Sequence, residues 1–224
     1  MLPRVCLLTY AVGHKKTAQV FTALMNRGFE TVDLMTMPFV ERAQRQTLFQ
    51  HRPRQFEGPN PKALVELCGG NIHDYADWRK IAGSYDYFIL CGANLVEAEF
   101  ADSCRILNVH AGLIPAVRGL DAFKWAILDK ERLGNTLHRI DERPDMGEVI
   151  AHRLTPVLAQ DDLKALAARH YENEIWMLTH FDRLLGSKSI LDLQHKPARM
   201  RMPVDVEKTM IGTFEAYKGL FAAP

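Results

Sequence analysis

The chain has 224 residues, of which 47% are hydrophobic and 25% are charged, with a formal net charge of +1 at pH 7. A chain of this length and composition can bury a core of its own, which excludes a disulfide-stapled small domain and a wholly disordered protein. The nearly equal numbers of basic and acidic residues predict no nucleic-acid partner and no general attraction to anionic membranes. An anionic ligand would therefore have to bind at a local site.

The lengths of the apolar segments predict a protein without a membrane partner. The cysteines inside these segments are predicted to be free thiols. No apolar run approaches the roughly 20 residues that a membrane-spanning helix requires. The stretch Val5 to Val12 lacks a signal-peptide cleavage pattern and is typical of a buried strand. Three of the four cysteines, Cys6, Cys91 and Cys104, fall in strand-like runs, and none forms a C-x-x-C pair. We therefore expect a reducing, cytoplasmic location and no metal site.

The N-terminal half alternates strand-like and helix-like patterns. Arg4 to Tyr10 and Phe29 to Leu34 are apolar runs typical of buried strands. Between them, Thr17 is placed to cap a helix that Gly28 ends. This βαβ arrangement predicts an α/β fold with a Rossmann-like, doubly wound and mostly parallel sheet.

The same alternation continues along the chain. Further helices are expected at Lys62 to Cys68, Asp77 to Ala82 and Asp121 to Leu128, and further strands at Tyr87 to Cys91, Arg105 to Val109, Thr136 to Ile140 and Glu148 to Val157. Asp161 or Asp162 opens a long amphipathic helix that ends at Gly186. The weaker pattern beyond it is compatible with a strand at Ile190 to Leu193 and a helix at Val206 to Phe221. We expect a catalytic domain at residues 1–186 and a C-terminal extension at 187–224.

The C-terminal extension is too short for a core of its own, yet it is rich in large apolar residues such as Met202, Met210 and Phe214. Such side chains must be covered by the main domain or by a second copy of the chain. A homodimer built partly on this segment is therefore a hypothesis.

Polar residues follow the predicted strands at their carboxyl ends, where open parallel sheets bind ligands. Asn108 and His110 follow one strand, and Asp145 lies in a later turn. An amide and an imidazole can stabilise a developing oxyanion, and a carboxylate beside the histidine orients the ring and favours its charged form. This set suits acyl transfer to an amine, which attacks directly without a nucleophilic side chain. Taken singly, each segment is equally compatible with an ordinary loop or turn.

A second polar set follows the first strand and begins the first helix. It consists of Gly13, His14, Lys15 and Lys16. The free amides and positive end of a helix start suit a phosphate, and Gly13 lets a ligand approach the backbone closely. The alternative is that both lysines are ordinary solvated residues. Arg52 and Arg54, which are most simply solvated charges, are then the next candidates for holding an anion.

Two segments together resemble the signature motifs of the folate-dependent formyltransferases. Asn108 to Gly119 (NVHAGLIPAVRG) is similar to the first motif of that family. Leu133 to Ile150, which contains Asp145-Met-Gly147, is similar to the second. With a matching strand order, the resemblance covers roughly residues 1 to 186. It implies a Rossmann-like domain that moves a formyl group from N10-formyltetrahydrofolate to a primary amine, without a metal.

The resemblance also implies roles for individual residues. By motif match, the catalytic positions are those of Asn108, His110 and Asp145. The places where family members hold the pterin of folate by backbone groups match Asn94, Leu95 and Val96 and the loop from Ile140, Asp141 and Glu142 to Asp145. Arg118 of the first motif joins Gly13 to Lys16 as a candidate contact for the acceptor substrate.

Departures from the family pattern narrow the expected acceptor. Gly112 stands where many members have a serine, which resembles the amino-sugar branch, and the first loop lacks the Gly-Asn-Gly-Ser pattern of glycinamide ribonucleotide enzymes. The segment after Gly186 is too short for the barrel of the methionyl-tRNA branch, and a first strand at Arg4 leaves no room for the N-terminal domain of the hydrolase branch. The resemblance therefore implies a nucleotide-linked amino sugar, as in lipopolysaccharide O-antigen biosynthesis. The alternatives are a glycinamide ribonucleotide or hydroxyornithine formyltransferase, a non-catalytic folate or nucleotide-sugar binding module, and a formylfolate hydrolase.

Overall fold

A central sheet organises the computed structural model, which describes residues 2–41, 45–143, 145–187 and 189–223. Its strands are β1 (Val5–Tyr10), β2 (Val32–Met37), β3 (Ile72–Asp74), β4 (Tyr87–Leu90), β5 (Ile106–His110), β6 (Gly134–Arg139) and β7 (Val149–Leu154). They lie in the order β3-β2-β1-β4-β5-β6-β7. Strands β1 to β5 run parallel to one another, whereas β6 is antiparallel to both β5 and β7. The predicted α/β fold with a mostly parallel sheet is confirmed.

Helices flank the sheet, and a small two-stranded sheet lies beside it. The helices are α1 (Lys15–Asn26), α2 (Pro61–Cys68), α3 (Trp78–Ile81), α4 (Ala98–Ser103), α5 (Ala122–Leu128), α6 (Leu163–Thr179), α7 (Phe181–Leu184), α8 (Val204–Gly212) and α9 (Phe214–Phe221). The small sheet pairs β8 (Val157–Leu158) with β9 (Ala222–Ala223). Among the described residues, no helix is both long enough and apolar enough to span a membrane.

Strand β1 shows why its sequence is apolar without alternation. Successive side chains of a strand point to opposite faces of the sheet. Leu7 packs in the core cluster that contains Phe21 of α1, while Cys6 and Leu8 pack in a second cluster with Phe88 on the other face. Because both faces of β1 are covered, every position from Val5 to Thr9 is buried.

The start of α1 differs from the prediction. The helix begins at Lys15, with His14 as its extended N-cap residue, so Thr17 lies inside the helix instead of capping it. The Thr17 hydroxyl forms hydrogen bonds with the Thr9 hydroxyl at 2.6 Å and with Nδ1 of His14 at 2.9 Å. Thr17 therefore fixes the first turn of α1 to the end of β1.

The C-terminal elements are shorter than the predicted ones. The long helix α6 ends at Thr179, and α7 follows as a separate turn. The strand expected to reach Val157 is interrupted near Pro156, because proline has no amide hydrogen for the sheet ladder. The strand expected at Ile190 to Leu193 is absent from the described residues, where the amide of Leu191 instead donates to Nδ1 of His152 at 2.9 Å. The single helix expected at Val206 to Phe221 is divided into α8 and α9.

The main part of the chain covers several apolar side chains of the extension, whereas Ile190, Met200 and Leu220 are exposed. Met202, Met210, Phe214 and Tyr217 are buried in one cluster with Phe123 of α5. The pairing of β9 with β8 adds a second attachment. A homodimer and the division at residue 186 stay predictions. Of the two predicted ranges, Met1, residues 42–44, Pro144, Lys188 and Pro224 lie outside the described residues.

Candidate active site

Asn108 and His110 lie two positions apart at the carboxyl end of β5, so their side chains leave the same face of the sheet. Both line a cavity of about 310 Å³. Asp145, from the turn between β6 and β7, lines the same cavity. The structure thus brings together the three residues that the sequence predicts as the catalytic set.

The turn that holds Asp145 depends on two unusual backbone positions. Asp145 has a φ of +52°, a left-handed conformation that aspartate tolerates better than most residues. Gly147 packs directly against the carbonyl oxygen of Arg139, where a Cβ atom would clash. Oδ1 of Asp145 consequently lies 3.3 Å from Nδ1 of His110, and its Oδ2 accepts a hydrogen bond from the Gly119 amide at 3.1 Å.

The His110 ring faces a hydrogen-bond acceptor at each nitrogen. Nε2 lies 3.1 Å from the Val117 carbonyl oxygen, and Nδ1 faces Asp145. Burial lowers the pKa of His110, and the Asp145 carboxylate opposes this effect without overcoming it. Asp145 thus acts on the ring in the expected direction, towards the charged form, while burial acts against it. The neutral ring can donate to only one of the two acceptors, so the arrangement favours proton uptake once negative charge develops nearby.

Asn108 is oriented by a histidine that sequence reasoning did not assign to the site. Nδ2 of Asn108 lies 3.1 Å from Nε2 of His138, its register partner on β6. Burial, assisted by the nearby His110, lowers the pKa of His138 to about 4, so this ring is neutral at pH 7 and can accept from the amide. One amide hydrogen of Asn108 is thereby engaged, and the second remains available for a ligand. The cross-strand register of β5 and β6 was the signal that could have identified His138.

A buried ion-pair cluster lines the same cavity. Glu174 of α6 is fully buried, its Oε1 lies 2.8 Å from Nζ of Lys16, and its Oε2 pairs with the guanidinium of Arg52. Burial alone would raise the pKa of Glu174, but Arg52 and Lys16 lower it to about 2. The interpretation of Arg52 as a solvated charge is therefore wrong. Lys16, a predicted acceptor contact, lines the cavity already paired with a carboxylate.

The rest of the predicted phosphate-binding loop is covered by the chain itself. The first amide of α1, that of Lys15, donates to the Gln55 carbonyl oxygen at 2.8 Å. The Gly58 carbonyl oxygen packs against Gly13. The close approach to the backbone that Gly13 allows is therefore made by the loop from Gln55 to Gly58 and not by a ligand. His14 is buried, and the Lys15 ammonium lies 5.7 Å from the centre of the Tyr171 ring.

Arg118 and the loop at the start of α1 lie apart from the catalytic cavity. Arg118 is buried and donates through Nη2 to the Lys196 carbonyl oxygen at 2.8 Å. Of the predicted acceptor contacts, Lys16 lines the cavity of Asn108, whereas Gly13, His14, Lys15 and Arg118 are not part of its lining.

The two segments expected to hold a pterin each contribute a side chain to the packing around one apolar cluster. Val96 and Ile140 pack against the same apolar cluster. The Asn94 side chain donates to the Pro38 carbonyl oxygen at 3.0 Å, and Leu95 is 87% exposed. The Asp141 carboxylate accepts a hydrogen bond from the Arg143 amide at 2.8 Å.

The last predicted folate contact is Glu142, and the remaining question is whether the described residues group as metal ligands. Glu142 is exposed, and Pro144 of the same loop lies outside the described residues. In the part of the chain that the structure describes, no three histidine, cysteine, aspartate or glutamate side chains are grouped as metal ligands.

Known proteins are similar to this chain in the region that contains these residues. Residues 86–181, which include Asn108, His110 and Asp145, match the family model described as Formyl transferase. The chain is 36% identical over 124 residues to the chloroplastic phosphoribosylglycinamide formyltransferase of Vigna unguiculata, a match that covers 51% of this chain and 39% of that protein. It is 35% identical over 89 residues to dTDP-4-amino-4,6-dideoxyglucose formyltransferase of Mycobacterium tuberculosis, covering 39% of this chain and 38% of that protein. The matches thus span about two-fifths of the length of these curated relatives.

A solved structure extends the similarity of the fold. The N-formyltransferase of Helicobacter canadensis, in complex with folinic acid and dTDP-3-aminofucose, superposes with a TM-score of 0.62 at 12% identity. The superposition covers 89% of this chain and 71% of that one. At this identity the similarity concerns the fold, which therefore extends well beyond the matched family region.

Proposed function

Because residues 86–181 match the Formyl transferase family model, we propose that the protein transfers a formyl group from N10-formyltetrahydrofolate to the primary amine of a nucleotide-linked amino sugar. The observation that carries the proposal is the convergence of Asn108, His110 and Asp145 on one cavity, with His110 and Asp145 3.3 Å apart. An amide donor, a buried imidazole and a carboxylate are the groups that direct acyl transfer to an amine needs.

The geometry assigns each group a step. The acceptor amine attacks the formyl carbon, a C–N bond forms, and the carbonyl electrons move to the oxygen. The second amide hydrogen of Asn108 and a ring N–H of His110 donate to this oxyanion. Asp145 takes the proton that the amine loses, through water where needed. The bond from the formyl carbon to N10 then breaks, N10 receives the proton that Asp145 took from the amine, and the products are a formamide and tetrahydrofolate.

The folate is proposed to bind along the two segments at Asn94 to Val96 and Ile140 to Glu142. The packing of Val96 and Ile140 against one apolar cluster supports this placement, because it holds side chains of both segments on the same face of the sheet. Backbone amides and carbonyls can then recognise the donor and acceptor edge of a pterin, as the family resemblance implies.

The acceptor is proposed to reach the formyl group from the side of β1, where Gly13 to Lys16 lead into α1. Lys16 contributes as a paired cation in the cavity wall, and Lys15 keeps its ammonium at the surface near Tyr171. Phosphoribosylglycinamide and dTDP-amino-sugar enzymes match this chain at similar identity. Glycinamide ribonucleotide is therefore the second candidate acceptor. We place the reaction in the cytoplasm, in keeping with the free thiols of Cys6, Cys91 and Cys104.

The proposal is tested by incubating the full chain with N10-formyltetrahydrofolate and a panel of amines. The panel contains dTDP- and UDP-linked amino sugars, glycinamide ribonucleotide and hydroxyornithine, and the formamide is detected by mass spectrometry. Formylation of a sugar nucleotide that is lost in Asp145→Asn supports the proposal. Faster formylation of glycinamide ribonucleotide would overturn the acceptor assignment, and folate consumption without any amine would overturn the transferase assignment.

A further inference from the structure

A second cavity, of about 580 Å³, lies beside the active site. Its lining includes Tyr10, Gly13, Phe39, Phe56, Asn94 and Arg201. Tyr10 is the last residue of β1, and Asn94 follows β4. The order of strands in the sheet reverses between β1 and β4, since β2 lies on one side of β1 and β4 on the other. Ligands of open α/β sheets bind at the carboxyl ends of the strands at such a reversal.

Three aromatic rings form one wall of this cavity. The centres of the Phe39 and Phe56 rings are 4.8 Å apart, and those of Tyr10 and Phe39 are 5.4 Å apart. The Tyr10 hydroxyl donates to the Ala93 carbonyl oxygen at 2.9 Å, which fixes its ring. Phe56 is 53% exposed, so an aromatic face is presented to a ligand. A planar heteroaromatic ring would bury this face and stack on it.

Arg201 connects this cavity to the active site. Its side chain lines both the aromatic cavity and the cavity of Asn108 and His110. Within the described ranges, the Arg201 guanidinium has no carboxylate within 4 Å, whereas Arg52 is paired. A cation between the two cavities suits the phosphates of a ligand that extends from one to the other.

We infer that the aromatic cavity binds the nucleobase of the acceptor, with Arg201 on its phosphates, an inference that rests on the proposed function. A nucleoside diphosphate carries a planar ring followed by an anionic diphosphate. The ring can stack in the aromatic cavity, and the diphosphate can then reach Arg201. Glu41, also in the lining, can accept a hydrogen bond from a base N–H group.

The test measures binding of thymidine diphosphate to the full chain by titration calorimetry. Phe56→Ala is expected to weaken binding at least about fivefold, because stacking of a base on an aromatic side chain is lost, and Phe56→Trp should restore it. Arg201→Gln should weaken binding and reduce its salt dependence. The matched control is Leu67→Ala, which truncates an exposed apolar side chain on α2 and should leave the affinity unchanged.

The outcomes separate this inference from the proposed function. If no amine is formylated but thymidine diphosphate binds with the expected dependence on Phe56, the proposed function fails and the nucleobase site stands. If the wild type formylates an amine but Phe56→Ala leaves the affinity for thymidine diphosphate unchanged, the nucleobase site is overturned and the proposed function stands. A rise in the folate KM of Phe56→Ala at unchanged nucleotide affinity assigns the cavity to the folate tail and also overturns the inference. Melting temperatures of all variants confirm that each is folded.

Discussion

The ion-pair cluster beneath the active site predicts a large and pH-dependent stability effect. Glu174→Gln keeps the size of the side chain but removes its charge. Lys16 and Arg52 are then left as neighbouring cations without a counter-ion, Lys16 with a side chain that is 8% exposed. Removing one partner from a buried ion pair typically costs about 3–5 kcal/mol, because the remaining charge is desolvated without compensation.

The pKa of Glu174 gives a second way to derive the size of this stability loss. Its pKa falls from an ordinary value of 4.5 to about 2 on folding, which corresponds to about 3 kcal/mol of stability at 1.36 kcal/mol per pKa unit. Because the folded-state value is the lower one, this stability is present above about pH 4.5 and is lost as the pH falls towards 2. Both routes agree on the size of the effect near neutral pH.

The assay is urea unfolding of the wild type and Glu174→Gln across this pH range. The wild type should exceed the variant in unfolding free energy by about 3 kcal/mol at pH 7, and the difference should shrink as the pH is lowered. The matched control is Glu66→Gln, which removes a charge from the exposed pair with Lys62 on α2 and should cost less than about 1 kcal/mol. A Glu174→Gln loss no larger than that of the control, or one that does not change with pH, would refute the reasoning.

Three further predictions concern the catalytic set, the C-terminal extension and the absence of a metal requirement. Asn108→Ala and His110→Ala should each lower kcat on the order of a hundredfold with little change in melting temperature, because each removes a group that stabilises the oxyanion; steady-state kinetics with near wild-type turnover would contradict this. Glu207→Gln, which leaves Lys124 buried and unpaired, should lower the unfolding free energy by about 3 kcal/mol. The control Glu215→Gln removes an exposed carboxylate and should change the unfolding free energy little. Equal effects of the two substitutions in urea titrations would argue against the extension as part of the main core. Activity should survive exhaustive chelation, and loss that zinc restores would show a metal requirement.

Most of the fold could be predicted because its signals are local. The apolar run of β1 reflects burial on both faces, and Asn108 and His110 stand two positions apart on a strand, which places them on one face. The place of Asp145 was predicted from the resemblance of its segment to a family motif, because Asp145-Met146-Gly147 taken alone indicates only a turn. Each of these features depends on neighbouring residues of the chain.

The parts of the site that could not be predicted depend on contacts between distant segments. Arg52 and Glu174 meet only after α6 packs against the sheet, so no spacing in the sequence indicates their pairing. The loop at Gln55 to Gly58 covers the start of α1. The residues that begin α1 predict a helix start, but they do not predict that a distant loop packs on it. His138 reaches Asn108 through the register of β5 and β6, which is fixed by the whole sheet.

The most direct test of the central claim is a single-turnover measurement of formyl transfer with and without an acceptor amine. The wild type, mixed with N10-formyltetrahydrofolate and a dTDP-linked amino sugar, should yield tetrahydrofolate and one formamide per turnover, and neither product should form without the amine. Asp145→Asn should bind both substrates with nearly unchanged affinity but transfer the formyl group at a rate lower by on the order of a hundredfold or more. Equal rates in the wild type and Asp145→Asn, or release of formate in place of the formamide, would contradict the account.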